Sequence, residues 1–102
     1  MILTKEMENF TEEKATTQTL IKGEFQVDDA AEILNHMLMT KINFHERRNF
    51  SSQIRFGQND EASLQRIKEL EDSKSEIREL IQLARTNGLS MRISSNISIE
   101  LI

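Results

Sequence analysis

Two histidines and one basic, aromatic-rich stretch stand out as the residues whose types and spacing suggest chemistry. His36 and His45 are nine positions apart, about two and a half turns of a helix, so on one helix they point to different sides. That spacing is wrong for joint metal ligation, which favours positions i and i+4. His45 is followed by Glu46, and a general base served by Glu46 or Glu32 is one reading. A surface or interface histidine is the other, and nothing in the spacing lifts the first above it. No catalytic, cofactor or metal set is therefore assigned.

Lys41, Arg47, Arg48 and Arg55 are interleaved with Phe44, Phe50 and Phe56. Cations with aromatics suit a phosphate group or stacked bases. Spacings of six place the three rings on different sides of a straight helix, so they share no platform. The plainer reading is a solvated or acid-paired face. Gly23, Gly57 and Gly88 stand alone, so no glycine-rich phosphate loop exists. Ser94, Ser95 and Ser98 have no histidine close in sequence and read as polar decoration. The Met37 and Met39 pair reads as adaptable packing.

The elements that must position these residues follow from composition and period. A chain of 102 residues fits one domain with one modest core. It has five Phe and no Trp, Tyr, Cys or Pro, so the core is mostly aliphatic and neither disulfides nor thiolates operate. The net charge of −4 argues against nucleic acid as the main partner. Residues 1–10 carry Glu6 and Glu8 and lack a signal-like apolar run, and no segment reaches the 18–20 apolar residues of a membrane span. A cytoplasmic, membrane-free chain is expected. The triplets beginning at Asn9, Asn49 and Asn96 have the glycosylation form and, without a secretory signal, read as chance.

Residues 1–15 show no sustained period and read as an arm, with a strand near Ile2–Leu3 as the alternative. Residues 16–102 form the domain. Thr16 to Phe25 reads as a strand with Thr17, Thr19, Ile21, Gly23 and Phe25 on one face and a bulge marked by Gly23. A helix starts near Val27, with Asp28 and Asp29 in its first turn. Ala30, Ile33, Leu34, Met37, Leu38 and Phe44 form its apolar stripe. Lys41, His45, Arg48, Ser52 and Arg55 then follow on the same face, with Phe50 and Ile54 nearly opposite. Either the helix breaks near 45–50, or its second half packs against something different.

Residues 56–60 read as a turn, with Asn59 or Asp60 capping a second helix to about Asn87. Ile67, Leu70, Lys74, Ile77, Ile81 and Ala84 alternate spacings of three and four, a heptad seam interrupted by Lys74, and Leu80 and Leu83 widen it. Gly88 stops the helix, with Leu89 placed to pack back. Met91, Ile93, Ser95, Ile97, Ile99 and Leu101 alternate with polar residues in a final strand.

The short links make the two strands antiparallel neighbours. The fold class is α+β, a β-α-α-β unit with a long antiparallel helical hairpin packed on a small antiparallel sheet. Helices of about 27–30 residues span roughly 40–45 Å, and a ten-residue strand roughly 33 Å, so the hairpin tip is expected to overhang. Two strands with open edges are marginal in water. A homodimer, pairing edge to edge or as four helices, is the predicted remedy; a monomer completed by the arm is the other. Residues 41–55 carry four cations against Glu46, a net of +3, and residues 60–79 carry seven acids against four cations, a net of −3. That complementarity sets orientation within a hairpin or between protomers.

Lys41-Ile42-Asn43-Phe44-His45, Arg55-Phe56-Gly57 before Asp60, and Ile97-Ser98-Ile99-Glu100 resemble a family of small uncharacterised bacterial proteins. The resemblance covers roughly residues 20–102. It implies a cytoplasmic bacterial setting and no activity, cofactor or site residue. The leading expectation is a non-enzymatic interaction module whose helical tip, Lys41, His45, Arg47, Arg48, Phe50, Arg55 and Phe56, meets another protein or a second protomer. Binding of nucleic acid or a phosphate ligand through residues 41–55 is the alternative, and an enzyme using His45 a weaker one.

Overall fold

A computed structural model describes residues 14–102. Its elements are β1 (Ala15–Phe25), α1 (Val27–Phe56), α2 (Glu61–Asn87) and β2 (Met91–Glu100). The fold is α+β in the order strand, helix, helix, strand. The reading of residues 1–15 as an arm falls largely outside the described residues. Residues 25–91 form one unit, the helical hairpin, and the strand ribbon forms a second.

In the hairpin, α2 follows its heptad. Ser63, Leu70, Ile81 and Ala84 are buried, and Ile67, Lys74 and Ile77 between them are half-buried. Spacings of three and four keep these positions facing one neighbour, as in a coiled-coil seam. Lys74 fits because its stem lies along the seam while its ammonium reaches Met39 Sδ at 3.8 Å.

α1 runs unbroken through residues 45–50. Its seam is Ala31, Leu34, Leu38, Ile42, His45, Asn49 and Ser52, all buried or half-buried. Leu38 and Ile42 pack with Leu70, flanked by Ile67 and Ile77. This corrects the stripe read from sequence. Ile42, 2% exposed, is the most buried large side chain, while Met37 and Phe44 lie on the flank and stay open to solvent. The helices run antiparallel, tied near the base by Arg85 to Asp28 at 2.7 Å.

The helix ends follow local chemistry. Gln26 makes no side-chain cap on α1, and the carboxylates of Asp28 and Asp29 complement the exposed N–H groups instead. Gly57 closes α1 at φ 68° and donates to the Gln53 carbonyl at 2.9 Å. Gly88 closes α2 at φ 64°, and Leu89 N–H returns to the Ala84 carbonyl at 2.9 Å. The Leu89 side chain itself remains exposed.

In the ribbon, β1 pairs with β2 alone among the described residues. Thr17 meets Ser98 at 3.4 Å and Thr19 meets Asn96 at 3.0 Å, while Glu24 pairs with Arg92 at 2.7 Å. Five positions separate Thr19 from Glu24, but only four separate Arg92 from Asn96. One extra residue therefore lies in β1, the defining count of a β-bulge. Ile21, Gly23 and Phe25 are half-buried, as are Met91, Ile93 and Ser95. That shared burial puts the extra residue at Leu20–Ile21, both facing Ser95, rather than at Gly23. The bulge moves Thr17 and Thr19 to the face opposite Ile21, Gly23 and Phe25, so these five residues do not share one face. Toward the ribbon's outer end, Leu20, Ile97, Ile99 and Leu101 are left exposed.

Candidate functional site: the helical tip

The connection from Gly57 to Asp60 is short, and the polar end of the α1 seam holds it. Asp60 accepts from Ser63 N–H at 3.3 Å and from Ser63 Oγ–H at 3.1 Å, which caps α2. Asn49 Oδ1 accepts the Asp60 backbone N–H at 2.8 Å. Ser52 Oγ donates to the Gln58 carbonyl at 2.8 Å, and Gln53 Nε2 donates to Asn59 Oδ1 at 2.7 Å. The second half of α1 thus packs against its own turn, which is why its seam is polar. Backbone groups of a tight turn need partners, and these side chains supply them.

One flank of the tip gathers cations on an aromatic ring. Lys41 Nζ lies 5.4 Å and Arg48 Cζ 5.8 Å from the Phe44 ring centre. Exposed contacts of this kind contribute about 0.5–1 kcal/mol each. Arg48, itself exposed, also approaches the half-buried Asp60 at 3.8 Å, a long contact that sets position more than it stabilises.

His45 turns inward from that flank. Its ring meets Phe44 edge-on, with centroids 5.1 Å apart and planes at 81°. The residue as a whole is half-buried, yet both ring nitrogens are shielded from solvent and neither has a hydrogen-bond partner among the described residues. Loss of hydration, then the charges of Lys41, Arg66 and Arg48, push its pKa below 6.5, with Asp60 opposing. No carboxylate orients the ring, so the base-to-orienter hydrogen bond of an acid/base pair is missing. Among the described residues no three acidic or histidine side chains form a metal-binding group.

The other expected residues spread around the helix. Arg47 and Phe50 line an open concavity with Thr40, Asn43 and Glu46. Arg55 and Phe56 end the helix. Phe50, Ile54 and Phe56 are 62%, 68% and 70% exposed. Lys41 and Arg48 meet at Phe44, but Arg47, Phe50, Arg55 and Phe56 do not join them. The turn is held by Asn49, Ser52 and Gln53, of which the stripe read from sequence places only Ser52 on the continuing α1 face. The signal for Asn49 was there too, since Asn49 and Ser52 continue the spacing of Leu38, Ile42 and His45.

No family model matches this chain, and no match is found among curated proteins or solved structures. No helix among the described residues is long and apolar enough to cross a membrane.

Proposed function

We propose that this chain is a non-enzymatic, homo-oligomeric protein-interaction module whose helical tip presents a contact surface. The observation that carries this reading is the exposure of Phe50, Ile54 and Phe56 at the end of a hairpin whose turn is pinned by hydrogen bonds. Large apolar side chains on a rigid support are what an interface uses as anchors. Arg47 and Arg55, which form no ion pair among the described residues, supply a polar rim. Among the described residues the ribbon has two strands only, and two strands are marginal in water, which adds to the case for a second copy. Light scattering across a concentration series tests the assembly. A dimer or larger species at tens of micromolar is expected, and a strictly monomeric mass overturns the reading.

The same free arginines favour a second reading, the binding of nucleic acid or a phosphate ligand. It predicts affinity that falls steeply with salt. The rings argue against base stacking, because Phe44 sits under Lys41 and Arg48 while Phe50 points elsewhere. Absent or salt-independent binding removes it.

A further inference from the structure

The two flat sides of the helical hairpin differ. One is marked by Asp28 with Arg85 and by Met39 with Lys74. The other carries Met37 and Phe44 seven residues apart, and Lys41, Arg48 and Arg55 at the same repeat. These are positions that one helix flank presents together. On α2 this second flank follows from heptad spacing about the seam, which puts Arg66, Glu69, Glu76 and Leu80 on the side away from Arg85. Arg66 pairs with Glu69 at 2.7 Å, and Glu76 and Leu80 follow Glu69 at spacings of seven and four. Met37, Phe44 and Leu80 are 39%, 41% and 57% exposed. The flank is therefore apolar over its base and middle, basic on α1 and acidic on α2.

The geometry points to a second copy of this chain as the occupant of that flank, with α1 of one protomer lying against α2 of the other about a two-fold axis parallel to the helices. This rests on the homo-oligomer reading above and names its interface. A two-fold contact uses the same patch twice, so the patch must be complementary to itself. This one is. Lys41 and Arg48 of each copy face the Glu69 and Glu76 side of the other, and Met37, Phe44 and Leu80 are covered between them. The alternative two-fold, α1 against α1, sets Lys41, Arg48 and Arg55 against their own copies, and like charges in an interface are strongly disfavoured. Arg66 is the one cation on the acidic side, and Glu69 already neutralises it. The product is a four-helix arrangement in which neighbouring helices are antiparallel and the two tips lie at the same end.

Charge exchange tests it on the full chain. K41E/R48E makes the flank acidic on both helices, and E69K/E76K makes it basic on both. Each variant alone is expected to dissociate at concentrations about tenfold or more above wild type, and an equimolar mixture is expected to restore the dimer as a mixed species. Circular dichroism confirms that each variant keeps its helices, and the mixture provides the check should either lose some. A monomeric wild type overturns the oligomer reading itself. A dimeric wild type with K41E/R48E equally dimeric overturns this face and leaves that reading standing. Two helical monomers that do not combine overturn the α1-to-α2 orientation.

Discussion

Asn49 Oδ1 accepts the backbone N–H of Asp60 at 2.8 Å, so a side chain from the late part of α1 holds the residue that begins α2. Asp60 in turn caps α2 through Ser63, which is 3% exposed. Two helices of 30 and 27 residues are thus joined by a chain of three side chains. This makes the tip a rigid feature of the hairpin and fixes the register in which the seam closes.

Asp60→Ala removes a cap acceptor and is expected to lower stability by about 0.5–2 kcal/mol. Asn49→Ala leaves the Asp60 N–H without its partner, and about 1 kcal/mol is expected. Because both act on one network, the double variant is expected to cost less than the two together. Urea unfolding of the four chains measures this, and strict additivity would show that the two residues act separately.

Ile42→Ala is expected to be among the most damaging single changes in the hairpin, at about 2–5 kcal/mol. It empties the centre of the cluster formed with Leu38 and Leu70. Phe44→Ala, on the exposed flank, is expected to cost much less at concentrations where the chain is monomeric. Comparable losses at the two sites would place Phe44 in the core and contradict the seam described here.

The contrast between Ile42 and Phe44 also shows what was legible beforehand. The α2 seam was, because Ile67, Leu70, Ile77, Ile81 and Ala84 leave one choice of face, although Leu80 and Leu83, expected to widen it, stay exposed. On α1, apolar residues at 33, 34, 37, 38, 42 and 44 cover more than one face, and the deciding positions His45, Asn49 and Ser52 are polar. Polar seam residues make sense only once the turn they bind is in place. The helix ends were legible from Gly57 and Gly88, and the β2 alternation from its isoleucines. A bulge in β1 is marked in the sequence by Gly23, but its place at Leu20–Ile21 is not legible there, because an added residue changes which side chains face each other without altering composition. At the tip, the spacing already puts Phe44, Phe50 and Phe56 on different sides, and Lys41 and Arg48 converge on Phe44 while Arg47 and Phe50 lie elsewhere.

Gly57→Ala and Gly88→Ala are each expected to cost about 1–2 kcal/mol. The backbone there is left-handed, but a Cβ at either position meets nothing within 4 Å. The loss is therefore conformational and not steric. Asn at the same positions, which tolerates this conformation better, is expected to recover part of it. Equal melting temperatures for the Ala and Asn variants would point to some other cause.

The last prediction concerns pH and follows from His45. In the folded chain, shielding of its ring and the cations Lys41 and Arg48 on α1 and Arg66 on α2 hold its pKa below the ordinary 6.5; Asp60 at the α2 cap pulls the other way. The unfolded chain therefore binds this proton more readily than the folded one. Stability is unaffected by His45 well above pH 6.5, falls as pH drops through that value, and stops falling once the pH is below the folded pKa. Glu69, whose pKa is lowered chiefly by its hydrogen bond to Arg66, loses its contribution only in the lower, carboxylate range, so the two effects separate. Melting temperatures of wild type and His45→Gln between pH 8 and 5 check this. The wild type is expected to lose more stability than the variant across that range. Parallel curves would mean that the proton enters the hairpin without cost, which a ring with two shielded, unpartnered nitrogens beside three cations does not allow.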